Sequence, residues 1–362
     1  LTFTSLNWST PQTVTVTAVD DSIDETSPES TTLVLTMNGA TADAIYAALD
    51  PDDVVVSVTD NDTAGITVNP TTADVTEGGA TDTFDVVLNT QPTGDVVIDI
   101  ANTADATVDL NTLTFTSLNW STPQTVTVTA TDDAIQETSP ESTTLVLVVN
   151  AGATADSVYD LIDPDDVVVS VTDNDTAGIT VNPTTADVTE GGATDTFDVV
   201  LNTQPTGDVV IDIANTADAT VDLNTLTFTT LNWSTPQTVT VTAVDDSMDE
   251  TSPESTTLVL TMNGATADAI YAALDPDDVV VSVTDNDSAG ITVNPTTADV
   301  TEGGATDTFD VVLNTQPTGD VVIDIANTAD ATVDLNTLTF TSLNWSTPQT
   351  VTVTAVDDSI DE

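Results

Sequence analysis

Short stretches in which Val, Ile, Leu and Phe alternate with Thr, Asp and Ser run along the whole chain, broken by clusters of Pro, Gly, Asn and Asp. Alternation with a period of two is the signature of a half-buried strand, and breaks at this spacing belong to an all-β sandwich. Over residues 63–175 the pattern predicts strands near 65–69, 74–77, 83–89, 96–101, 107–116, 124–131, 143–149 and 166–172. In Thr125-Val126-Thr127-Val128-Thr129 the valines point to the core and the threonines to water. The stretch 154–162, with Tyr159, has a helical spacing instead and predicts a short helix in the loop before the last strand.

The pattern then repeats. The phrase Leu-Thr-Phe-Thr-Xaa-Leu-Asn-Trp-Ser-Thr begins at Leu1, Leu113, Leu226 and Leu338, a period of 112 or 113 residues. This is a tandem array of a unit large enough to enclose one core. Copies 63–175 and 176–287 differ by twelve substitutions and one inserted residue, all between positions 117 and 162. They join without a linker, since Asp62-Thr63-Ala64-Gly65-Ile66 leads straight from one last strand into the next first strand. Both ends of the chain fall inside a repeat, so it reads as a window on a longer polypeptide.

Charge narrows the picture. There are 61 Asp and Glu, and no Lys, Arg, His or Cys. Nucleic acid and anionic membranes are therefore poor partners. Lysine and histidine catalysis, cysteine nucleophiles and disulfides are all excluded, and the chain reads as a non-enzyme. An apolar fraction of 39% argues against a disordered acidic tail. No apolar run is long enough to span a membrane.

Several acids stand where strands end: Glu77, Asp109, Asp132 with Asp133 and Glu137, and Asp173 with Asp175. A sandwich gathers such loops at one end, and crowded carboxylates repel unless a hard cation holds them; Ca²⁺ accepts about six to eight oxygens in a flexible cage. The alternative is that each is a solvated turn residue, since Asp favours turns for its own backbone reasons. Asp52, Asp53, Asp165 and Asp166 read as solvated loop residues.

The order Val-Thr-Glu-Gly-Gly, Val-Asp, Leu-Thr-Phe, Val-Thr-Val-Thr-Ala-Xaa-Asp-Asp-Xaa-Xaa-Xaa-Glu and Val-Thr-Asp-Asn-Asp-Xaa-Ala-Gly resembles the Calx-beta domain. The resemblance spans the module and recurs in every copy. It implies tandem immunoglobulin-like sandwiches of about seven strands, with Ca²⁺ bound in the loops at one end. Residues 1–62 would then be the C-terminal part of one repeat, 63–175 and 176–287 complete repeats, and 288–362 the N-terminal part of a fourth. Carried over by motif, the ligands are Glu77, Asp109, Asp132, Asp133, the main-chain carbonyl of Ile135, Glu137, Asp173 and Asp175. The next copy supplies Glu190, Asp222, Asp245, Asp246, Met248 through its carbonyl, Glu250, Asp285 and Asp287. The partial copies supply Asp20, Asp21, Glu25, Asp60 and Asp62 at the start, and Glu302, Asp334, Asp357, Asp358 and Glu362 at the end. One departure from multi-ion members is Asn174 or Asn286 in the middle of the exit triad, where they carry a third Asp.

Asn7, Asn119, Asn232, Asn344, Asn61, Asn174 and Asn286 satisfy the N-glycosylation pattern, which chance also produces in a Thr-rich chain. One Trp per copy (Trp8, Trp120, Trp233, Trp345) reads as sandwich packing. These features together predict a structural, calcium-stabilised repeat array outside the cell, on its surface or secreted, as the stalk or filament of an adhesin. Its partners are neighbouring repeats, with self-association into fibres open. A multivalent module that binds a glycan or protein is the alternative.

Overall fold

A computed structural model describes residues 1–357. The chain forms two compact units: Leu1–Asp133 with Glu137–Asn174, and Ala134–Gln136 with Asp175 onward. The architecture is all-β, and each unit carries one complete immunoglobulin-like sandwich.

In the second unit, one layer is antiparallel and contains, in order, Ile179–Asn182, Asp195–Leu201, Gln237–Ala243 and Ala219–Val221. Facing it are two three-stranded sheets. The first is Thr185–Thr189, Val279–Thr284 and Glu254–Leu258; the second is Thr225–Phe228, Val209–Ile213 and Leu260–Met262. Only Val259 separates Glu254–Leu258 from Leu260–Met262, so a single extended segment changes partner and joins the two sheets into one layer. The opening segment serves both layers because Pro183, which has no N–H, ends the first ladder.

Alternation does what the sequence requires of it. In Gln237–Ala243 the residues Val239, Val241 and Ala243 are buried, while Thr238 and Thr242 are exposed. Both layers close on one core containing Phe197, Ile211, Leu226, Phe228, Val281 and Tyr271. The first unit builds its sandwich from the corresponding strands of copy 63–175 around Phe84, Ile98, Leu113, Phe115 and Tyr159. Trp120 and Trp233 are half-buried against these cores.

Three sequence expectations need correction. The strand expected over 143–149 is two, Glu141–Leu145 and Leu147–Val149, in different sheets. The strand expected over 107–116 is two strands, Ala106–Val108 and Thr112–Phe115, which lie in different sheets. Between them Asn111 donates to Ile100 O and to Asn102 Oδ1, a turn that lets Val108 and Leu113 both reach the core from opposite layers. The helix expected over 154–162 is one 3₁₀ turn, Tyr159–Leu161. The Asp156 carboxylate caps it by accepting from Val158 N and Tyr159 N, and also holds Thr93. The Tyr159 hydroxyl is held by Thr90.

The incomplete copies are leaner. Residues 1–62 contain the pair Glu29–Leu33 and Val54–Val58. Their Leu1, Phe3 and Trp8 are exposed, whereas Leu113 and Phe115 of copy 63–175 are buried. Residues 288–357 keep the four-stranded layer and a small core of Val311, Leu313, Leu338, Phe340 and Val351. Among the described residues no helix is long and apolar enough to cross a membrane.

Candidate metal centre

The acidic tip is assembled by strand polarity. Thr185–Thr189 and Val279–Thr284 run parallel and end in register at Thr189 and Thr284. Glu190 N donates to Thr284 O at 3.0 Å, so Glu190 and Asp285 leave the sheet side by side. Glu254–Leu258 runs antiparallel to the second of these strands and starts at the same end, with Glu254 opposite Val283. Gln237–Ala243 of the other layer ends there too and delivers Asp245 and Asp246.

Glu190 is only 4% exposed, and its Oε2 has no hydrogen-bond partner. One carboxylate oxygen each from Glu190, Asp285 and Asp287 lies within 4.8 Å of the others. Burial, then the charges of Asp285, Asp246, Glu250 and Asp245, push the Glu190 carboxyl up to about 7. Asp287 is also raised, by burial and then by Asp285, Asp245, Asp246 and Asp249. Asp285 is lowered instead, because the main-chain N–H groups of Asp287 and Glu250 each donate to it at 2.8 Å. The centre thus holds one fixed anion and two carboxyls that resist ionisation, with no basic side chain in the chain to relieve them. A divalent cation with oxygen ligands is what such a donor set fits.

Asn286 at the middle of the exit triad acts as a clamp. Its Nδ2 donates to Glu190 O at 2.7 Å and to Asp245 Oδ1 at 3.0 Å, contacts that a carboxylate could not make. Gly191 permits this approach. It has φ +57°, and a Cβ there would stand 3.0 Å from Asn286 Nδ2 and 3.3 Å from Asp245 Oδ1.

The first unit repeats the arrangement. Glu77 is 4% exposed, its Oε2 lacks a partner, and burial followed by Asp133, Asp173 and Glu137 pushes it up to about 7. Asn174 Nδ2 donates to Glu77 O and Asp132 Oδ1, and Glu137 N donates to Asp173 Oδ2. Asp175 and Ile135 belong to the second unit. Met248 lies in the loop between Asp246 and Glu250, and its N–H donates to Asp246 Oδ1. In copy 1–62, Asp20, Asp21, Glu25, Asp60 and Asp62 line a cleft of about 70 Å³ together with Glu29. At the other end, Glu302 is exposed and precedes Gly303, where a Cβ would lie 3.7 Å from Asp357 Oδ2. Asp358 and Glu362 lie outside the described residues.

Asp109, Asp222 and Asp334 do not join the tips. Each carboxylate instead accepts a neighbouring strand's N–H at 2.7 Å, from Thr127, Thr240 and Thr352. The strand Ala219–Val221 runs away from the tip, with Ala219 opposite Ala243 and Val221 opposite Val241. The acid before the strand, Asp218, is therefore the one near the cluster; burial raises Glu250 and Glu254 most, and the charge of Asp218 adds to it. Asp105 does the same to Glu137 and Glu141 in the first unit. Sequence reading missed Asp218, Glu254, Asp105 and Glu141. In Asn-Thr-Ala-Asp-Ala-Thr-Val-Asp both acids flank one strand, and only the strand's direction tells them apart.

No family model and no curated protein matches the sequence. Similar solved structures include CBD12 from CALX1.2, at 15% identity and a TM-score of 0.24, over 56% of this chain and 83% of that one. The calcium binding domain CBD12 of CALX1.1 gives 16% and 0.28, over 60% and 99%. Domains 4 and 5 of the S-layer protein SbsC give 17% and 0.25, over 56% and 82%.

Proposed function

We propose that this chain is a structural, extracellular array of Calx-beta-like sandwiches whose acidic tips are neutralised by Ca²⁺, serving as a stalk or filament of a cell-surface or secreted adhesin and not as an enzyme. The observation that carries the reading is the buried, unpartnered Glu190 Oε2, matched by Glu77 Oε2, aimed into a cluster of carboxylates in a chain with no basic side chain. In the complete second-unit copy, Glu190, Asp245, Asp246, Glu250, Asp285 and Asp287 would hold the ion, with Met248 O as a further ligand and Asp218 and Glu254 beside them. Glu77, Asp132, Asp133, Glu137 and Asp173 have the same role in copy 63–175, on repeats bounded at 62/63, 175/176 and 287/288.

Bound cation cancels the repulsion at each tip and adds RT ln(1 + [L]/Kd) to the stability of the copy that holds it. An extracellular-grade affinity of about 10⁻⁴ to 10⁻³ M is expected. Calorimetric unfolding of the chain in Ca²⁺, in Mg²⁺ and in chelator tests this, with high-salt arms to separate a general ionic effect. A Ca²⁺-specific rise in Tm is expected. Equal Tm in all three at matched ionic strength would remove the cation from the account.

A further inference from the structure

The loop that carries Asp245, Asp246 and Glu250 also has residues that bond to the following copy. Ser247 O accepts from Gln316 N at 2.7 Å, and Asp249 Oδ2 accepts from Ala289 N at 2.8 Å. Both donors belong to the following copy. The same two contacts occur in the first unit, where Ser22 O accepts from Gln91 N at 2.7 Å and Asp24 Oδ2 from Ala64 N at 2.8 Å. They occur a third time in the second unit, where Ala134 O accepts from Gln204 N and Gln136 Oε1 from Ala177 N, each at 2.6 Å. There the Asp of the other loops is replaced by Gln, yet the side-chain oxygen is kept.

The receiving corner is held by its own hydrogen bonds. Its two donors sit on either side of a bond from Asn89 N to Gly65 O at 2.9 Å, repeated as Asn202 N to Gly178 O and Asn314 N to Gly290 O. A Cβ at Gly65 would stand 2.5 Å from Asn89 Nδ2, so the glycine leaves room for the Asn89 side chain beside that bond. In the complete copies Thr90 or Thr203, next to the Gln donor, is buried and bonded to Tyr159 or Tyr271.

We infer that this loop is a two-pronged forward clip whose partner is the N-terminal corner of the next copy, recognised through two main-chain N–H groups. Recognition of main-chain donors is blind to side chains, so any clip fits any following copy, and repeats can be added or lost without redesigning the interface. The second prong needs an oxygen acceptor and not a charge, which is why Gln136 serves where Asp24 and Asp249 do. The clip also gives the array a direction, because each tip loop grips only the copy that follows it.

The chain has no Cys, so spin labels can be placed at Leu231→Cys and Leu343→Cys, two exposed positions in consecutive copies and outside the clip. Electron–electron double resonance on the full chain in chelator, where the cation reading plays no part, gives the width of the inter-copy distance distribution. Circular dichroism melting confirms that each variant folds. Asp249→Ala is expected to broaden the distribution at least twofold, and Asp249→Asn to leave it unchanged. Ala289→Pro, which deletes the donor without touching the acidic loop, should reproduce the Ala variant. The inference is overturned if the parent distribution is already as broad as that of Asp249→Ala, or if Asp249→Asn broadens it as much as Asp249→Ala does.

Discussion

Replacing Glu190 by Gln should stabilise the fold in chelator and blunt its response to Ca²⁺. The Glu190 carboxyl is almost fully buried among Asp285, Asp246, Glu250 and Asp245, and is pushed from 4.5 up to about 7. A carboxyl whose folded value is raised stabilises the fold below its unfolded value and withdraws that stability as pH rises through the folded one. Wild type in chelator therefore loses stability between about pH 4.5 and pH 7. Each tenfold change in proton affinity is worth about 1.4 kcal/mol, so the ionised Glu190 costs at most about 3 kcal/mol at pH 8. Asp245 and Asp246 are exposed and admit water and counterions, so about 1–3 kcal/mol is expected after screening. Glu190→Gln keeps the shape and removes the charge. In chelator at pH 8 and low salt the variant should be more stable by that amount, and its Tm should fall less than that of wild type across the same pH window. In Ca²⁺ at a hundredfold excess over Kd, wild type gains about 2.7 kcal/mol, while the variant gains less than about 1 kcal/mol, so the variant's advantage shrinks by at least about 1.7 kcal/mol. Paired calorimetric scans at pH 5 and pH 8, with and without Ca²⁺, read all four corners. A Gln variant less stable than wild type in chelator at pH 8, or one with an undiminished Ca²⁺ response, would refute the reasoning.

Other positions separate tip from scaffold. Asp218→Asn should weaken Ca²⁺ binding several-fold by isothermal titration, whereas Asp222→Asn should leave affinity alone and cost about 1 kcal/mol by weakening the bond to Thr240 N; the reverse pattern would return Asp222 to the site. Gly191→Ala forces a side chain into a left-handed backbone conformation and against the Asn286 amide, and should cost at least about 1–2 kcal/mol in chemical denaturation while lowering Ca²⁺ affinity. Phe228→Ala, in the centre of the second-unit core, should cost about 3–5 kcal/mol without altering the affinity of whatever fraction remains folded.

Alternation, turn residues and the repeat were legible in the chain because they are local. Val126 and Val128 had to share a face, and Gly, Pro and Asn clusters had to end strands. Total acidity without a basic residue points to a cation as the expected partner. Direction was not legible. Asp218 and Asp222 flank the same strand, and pairing alone sends one to the tip and the other to a Thr240 N–H. The parallel pairing that brings Glu190 beside Asp285, and the turn that splits 107–116 between two layers, are long-range contacts with no local signature. The same holds for Gln136 and Asp249: in sequence they are polar residues of an acidic loop, and only the approach of the next copy's backbone gives them a partner. Sequence by itself determined which side chains turn inward and how much charge the surface carries; tertiary structure decided which of those charges meet, because strand polarity and register lie in pairings between distant residues.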